Sequence, residues 1–381
     1  MALYGVSKDE LLSKLSDGLK NPVSEKDVFR PQIKLSTLNK IDKIFEKGLV
    51  YYIDPNDPIE PKSESIFFRK DKFNASLNLE AKRFVNKYER EKLLFMALSN
   101  MVDYRIERKI PVFNIKDEAR KVAETVYKTL YPEYNYDSKK FLKNFIGQLA
   151  EYNILVFEDI KHPSKKESAN IKGMFLTPNV IVLNRNKESP KQEIFTLAHE
   201  LGHYLLNQEE IDDNIIIRAT PYKAGNEIEK WCSDFAYYFL AGEDAMVIDN
   251  LDQANPENDY HHDLVDRIGQ RTQLSKSALY TRLLLNDLID AGYYSKVIAT
   301  LDKKWLESKI VRDAARKAKL EEDERKAELQ GKPFFPPRAK PIISPLYERT
   351  LKGALYSGLI TERDFCQKLK ISPNKMESYL V

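Results

Sequence analysis

His199 and His203 stand one helical turn apart in the run Thr196-Leu-Ala-His-Glu-Leu-Gly-His203, with Glu200 between them. Imidazoles at positions i and i+4 project from one face of a helix, so both can reach a single tetrahedral metal ion. A carboxylate beside the metal's open position can take a proton from a bound water, which is the chemistry of a zinc hydrolase. On this reading His199 and His203 are ligands, Glu200 is the general base, and one zinc is expected per chain. A catalytic zinc needs a third protein ligand. The stretch from Asn226 to Leu240 reads as a second helix with Ile228, Cys232, Phe235 and Phe239 on its apolar side, and Glu229 near its start is the candidate. Cys232, Ser233 and Ala236 are small enough to let this helix approach the first. Glu227 is the rival carboxylate, and an acid at a helix N-terminus is also favoured by the macrodipole alone, so spacing does not choose.

Other elements must hold these residues in place. Ser189-Pro190 reads as a helix start, with Ser189 as cap, Pro190 at the first helical position and Gln192 closing a capping box. Ile194, Leu197, Ala198, Leu201 and Leu205 then recur at helical spacing, which predicts a buried stripe with the histidines on a flank, lining a cleft. Ile154 to Phe157 and Val180 to Leu183 read as strands of a small sheet beside this helix. An edge strand there could pair with an extended substrate backbone, and Val180, Ile181, Val182, Leu183 and Asn184 are the candidate; an ordinary buried strand fits the same residues. Further helices are predicted at 36–45, 78–101, 116–130 and 138–152.

Composition bounds the class. The 381 residues are 42% apolar and 31% charged, enough for a substantial core in two or three domains. Lys plus Arg number 61 against 58 for Asp plus Glu, so charge does not select nucleic acid as a partner. Two cysteines are too few for a disulfide framework, and Cys232 reads as a packing residue. No window is apolar enough to span a membrane and no leader pattern opens the chain, so a cytoplasmic location is expected.

The run from Phe195 to His203, followed by Glu229-x-x-Cys-x-x-Phe-Ala236, resembles the ImmA/IrrE family of zinc metallopeptidases. Ser65 to Lys70, Ile171 to Phe175 with Val180 to Asn184, and Asp263 to Tyr294 resemble its long form, so the likeness runs from about residue 36 to the C-terminus. It implies an α+β, mostly helical fold: a zincin-like metallopeptidase core with a small β-sheet, flanked by helical modules. It implies Glu229 as the third ligand. It implies an endopeptidase whose substrate is a protein, a helix-turn-helix transcriptional repressor, cut in a stress, phage-defence or mobile-element response. The chain departs from the family at Tyr237 to Gly242, where Leu-Met-Pro often follows Phe-Ala. Long relatives begin with a DNA-binding domain, for which the lead before residue 36 is short.

Downstream, Asp263 to Ile268 and Ser275 to Leu284 have a helix-turn-helix rhythm that can bind DNA; the resemblance implies a packing module instead. His261-His262 before it has the residue types of an extra metal site or a substrate-contacting pair but reads better as a plain loop, and the polar stretch Lys161 to Glu167 with His162 reads as a loop too. Lys303 to Glu328 mixes charges at helical spacing and reads as an exposed helix. Gly331 to Pro345 is proline-rich and extended, and compact helices follow it. The expected organisation is therefore 1–135, a helical region with a degenerate helix-turn-helix and docking helices; 136–255, the peptidase core; 256–300, the packing module; 301–345, charged helix and linker; 346–381, a helical tail. The competing function is a non-proteolytic DNA- or protein-binding regulator or toxin component that keeps the peptidase shape. Intact His199, Glu200 and His203 speak against it. Neither substrate identity, activating signal, oxyanion donor nor oligomeric state is written in the residues; Tyr204, Tyr237 and Tyr238 are near the ligands, but spacing chooses none of them.

Overall fold

The computed structural model describes residues 6–30, 32–45, 47–54, 77–160, 169–185, 189–209, 227–337 and 339–380. Ser65 to Lys70 and the 161–167 loop with His162 lie outside them. The N-terminal helices α1 (Lys8–Ser16), α2 (Glu25–Val28), α3 (Leu35–Phe45) and α4 (Leu49–Ile53) gather around a small cluster of Leu11, Leu15, Ile41, Ile44 and Phe45. Next comes α5 (Leu79–Met101), started by Asn78, whose side chain accepts the Ala81 N–H. It is followed by α6 (Ala119–Leu130) and α7 (Ser138–Glu151).

Strands β1 (Leu155–Ile160), β2 (Gly173–Leu176) and β3 (Val180–Arg185) form one sheet in the order β1-β3-β2. β1 runs parallel to β3 and β2 antiparallel to it. Successive strand side chains point to opposite faces. Val156, Phe175, Ile181 and Leu183 therefore enter one core, while Leu155, Met174, Leu176, Val180 and Val182 enter another. Both faces are covered, which is why Val180 to Leu183 is apolar without alternation. β2 reads poorly as a strand from sequence because it is only four residues long and carries glycine; its pairing with β3 makes it one.

On the first face lie α8 (Pro190–Leu206), which carries His199 and His203, and α9 (Glu227–Ala241), which carries Glu229. They share the larger core with α6, α7 and the helices α11 (His262–Arg271) and α12 (Lys276–Leu285), which follow the short α10 (Asp244–Asp249). The long helix α13 (Ala291–Leu329) then runs for 39 residues, with only Tyr294 and Val297 buried. On the second face, α14 (Pro345–Tyr356) and α15 (Glu362–Leu369) bring Leu346, Leu351, Ala354, Phe365 and Leu369 into one cluster with α5 and the sheet. The segment beyond the prolines thus supplies one layer of the core. The fold is α+β and mostly helical. Among the described residues no helix is long and apolar enough to cross a membrane.

Two sequence expectations need correction. Ser189 and Pro190 do start α8, but the Ser189 side chain makes no capping hydrogen bond and no capping box forms. Val180, Ile181, Val182, Leu183 and Asn184 cannot be a substrate-binding edge, because β3 is the central strand and both its sides are paired. Asn184 is spent on the fold as well, its Nδ2 donating to the carbonyls of Ala169 at 3.2 Å and Ile171 at 2.7 Å.

Candidate metal centre

The helix α8 is not amphipathic in place: every residue from Ile194 to Leu206 is buried. It is enclosed by β2, β3, α7 and α9. The histidines are therefore roofed over and do not line a simple flank. Close crossing with α9 depends on Gly202, since a Cβ there would meet the Cα, Cβ and Sγ of Cys232 at 3.1 Å. That approach places Glu229 against both histidines, whereas Glu227 is exposed. At the C-terminal end of α8, the Arg108 guanidinium donates to the Tyr204 carbonyl at 2.5 Å and the Phe113 N–H to that of Leu205 at 2.9 Å, satisfying carbonyls left over by the helix.

His199 Nε2 lies 3.0 Å from Glu229 Oε2, His203 Nε2 lies 3.2 Å from Glu229 Oε1, and the two Nε2 atoms are 3.3 Å apart. Donors about 2.0–2.1 Å from a tetrahedral ion stand about 3.3 Å from one another. The donor set and its spacing therefore fit a metal ion, and the three residues are 1%, 2% and 5% exposed in the order His199, His203, Glu229. Electrostatics agree. Burial lowers the pKa of His199, favouring the neutral imidazole a metal requires. Burial works to raise the pKa of Glu229, but the two imidazoles outweigh it and hold the carboxyl well below its usual range. Burial opposes charge on His203 too, yet Cys232 and Glu229 leave its pKa raised.

The support around these residues was only partly legible in the sequence. Ser233 Oγ is 3.2 Å from His199 Nδ1, a contact that fixes the ring so that Nε2 faces the cluster. Its signal was the four-residue step from Glu229, which puts both on one helix face. Gly173 had no such signal. A Cβ on it would meet Glu200 Oε1 at 2.7 Å and Thr196 Cγ2 at 2.9 Å, so the β2 backbone passes directly over the Glu200 carboxylate. Glu200 is 3% exposed. Burial pushes the Cys232 thiol up to about 11, which suits packing and not nucleophilic chemistry. Of the three tyrosines, Tyr204 lies under the Arg108 guanidinium at 3.8 Å, and Tyr237 and Tyr238 flank Arg282 at 4.6 and 4.8 Å. Each is engaged with an arginine. His262 is a packing residue, its Nε2 2.7 Å from the Tyr293 hydroxyl and its Nδ1 bonded to that of Tyr280.

The family model of the IrrE N-terminal-like domain matches residues 150–284, a stretch that takes in all three strands, α8 and α9. No curated protein and no solved structure is significantly similar to the chain. With the histidine pair, the buried glutamate and the sheet that covers them inside the matched stretch, residues 150–284 are a domain of the ImmA/IrrE family of metallopeptidases.

Proposed function

We propose that the chain is a zinc-dependent endopeptidase of the HExxH type that cuts a partner protein. The observation that carries this reading is the convergence of His199 Nε2, His203 Nε2 and the Glu229 carboxylate at 3.0–3.3 Å in a buried cluster. A zinc held there would act as a Lewis acid and supply a bound water with a pKa of about 7. Glu200 would accept that water's proton and return it to the departing amine. Ser233 would keep His199 oriented. The strand available to an extended substrate is β2: among the described residues nothing pairs with its second side, and its Gly173 lies on Glu200.

The partner we propose is a helix-turn-helix repressor, which rests on the family resemblance alone, as does a stress or phage-defence setting. Direct DNA binding by the helix-turn-helix-like module is the weaker reading. Ala278, Leu279, Tyr280, Thr281 and Leu283 of α12 are buried. Lys191 of α8 also ties the module down, donating to the carbonyls of Gly269, Thr272 (3.1 Å) and Leu274 (3.2 Å). The test is cleavage of repressors encoded beside the gene by the full chain with zinc. Wild type should cut; Glu200→Gln should retain about one zinc and lose roughly 10²–10⁴-fold in rate. Equal cutting by both proteins would remove Glu200 as base, and a wild type that holds no zinc in metal-replete buffer would sink the reading.

A further inference from the structure

At the β1 edge of the sheet, opposite the β2 edge that covers Glu200, a cavity of about 320 Å³ opens between α5, β1, the segment 341–344, α14 and α15. That is the lower end of the range for small-molecule sites. Its floor is aromatic: the Tyr88 and Phe157 rings are 5.4 Å apart, and those of Phe157 and Tyr347 are 5.1 Å apart. Its rim carries Lys87, Lys368 and Lys370.

The charges around it balance in number, but they are unevenly paired. Lys87 donates to Asp159 at 2.6 Å, and Lys368 lies 3.5 Å from Glu91. Glu158 lies 3.2 Å from Arg185 and accepts the Ile342 N–H at 2.5 Å. Asp364 is spent on the start of α15, accepting from the N–H and hydroxyl of Thr361 at 3.1 and 2.6 Å. Each acid at the cavity thus has its own partner, and so do two of the three lysines. Lys370 is left: its ammonium makes no hydrogen bond or ion pair with any described residue. Its backbone is nevertheless fixed as the left-handed cap of α15, with φ 54° and its N–H bonded to the carbonyls of Cys366 and Gln367. Burial and the nearby Lys87 both lower its pKa, against the pull of Asp159, Glu158 and Glu91. A cation held where its own charge is disfavoured, at the mouth of an aromatic-floored cavity, is relieved by an anion.

We infer that this cavity is a binding site for a small organic monoanion, with an apolar ring or branched body on Tyr88, Phe157 and Tyr347 and its anionic group at Lys370. The inference does not depend on peptidase activity. It is tested on the full chain with 1-anilinonaphthalene-8-sulfonate, an aromatic monoanion, and with the uncharged N-phenyl-1-naphthylamine, both followed by fluorescence. The sulfonate should saturate at one site per chain. Lys370→Gln should weaken it by about tenfold, the worth of one charge-assisted contact, while Lys370→Arg restores it. The uncharged probe should bind both variants like wild type. Thermal melting of each variant separates lost binding from lost folding, which is not expected because the Lys370 ammonium holds no described residue by a hydrogen bond or ion pair. Sulfonate affinity unchanged in Lys370→Gln, no saturable binding, or equal losses for both probes would overturn the assignment.

Discussion

The histidine–glutamate cluster and the lysine-rimmed cavity are built in opposite ways. The cluster takes its polar atoms from two helices, all buried, with His199 and Glu229 separated by 30 positions in the chain. The cavity takes its walls from Lys87 through Lys370, and its last wall arrives only when α14 and α15 pack on α5. A site whose donors must sit one helical turn apart is constrained locally and leaves a motif. A site that needs only an apolar floor and one lysine without an ion-pair partner can draw them from anywhere, and leaves none. The two regions still meet physically, because Glu158 of the cavity wall pairs with Arg185, whose Nε lies 3.1 Å from Glu193 on α8.

The comparison can be broken at its strongest point first. His203→Ala should reduce bound zinc from about one per chain to below roughly a tenth, because two donors remain where a zinc site needs at least three. Elemental analysis measures this, and Glu227→Ala should match wild type. The same His203→Ala protein should bind the aromatic sulfonate normally if the regions are independent. A shifted affinity would show coupling through Glu158, Arg185 and Glu193.

Leu351→Ala should be the costliest change on the cavity side, about 2–5 kcal/mol by denaturant unfolding, since Leu351 is fully buried in the cluster that α14 shares with α5 and the sheet. A loss under about 0.5 kcal/mol, the usual size of a surface change, would mean that the tail is a separable module. Gly202→Ala should cost about 1–3 kcal/mol by overpacking against Cys232, and should weaken zinc binding by moving α9 and Glu229. Unaltered stability and zinc affinity would show that the helices yield at no cost.

The smallest effect concerns the charge chain between the regions. Burial, partly opposed by Arg185 and Lys139 and reinforced by Glu158, raises the Glu193 carboxyl to about 7. A carboxyl whose pKa is raised on folding keeps its proton in the folded chain after the unfolded chain has lost it. Stability should therefore fall as pH rises from about 4.5 to about 7, by at most about 1.4 kcal/mol per pH unit for this group. Glu193→Gln should flatten that window in pH-dependent unfolding, leaving a residue of slope from Glu158, whose pKa burial also raises. An unchanged slope would move the titration to another group.

Much of the site could be read before any tertiary contact was known. His199, Glu200 and His203 declare themselves because helix geometry ties sequence spacing to direction, and α5, α7 and α8 follow from apolar period and start signals within a residue or two. What local pattern could not decide was everything set by partners distant in sequence. Val180 to Asn184 had the composition of a strand, but whether a strand is central or at an edge depends on which others pair with it, and β2 claims its second side. Glu229 and Glu227 both begin one helix, and only the crossing at Gly202 and Cys232 turns the first inward. The prolines from 333 to 345 read as a boundary, because proline does fix an extended backbone; they are silent on whether the chain beyond returns to the core. Backbone preference and periodicity act over a few residues and are written in the sequence itself. Strand order, helix crossing and enclosed charge are settled by burial of apolar surface between distant segments, which exists only in the folded molecule.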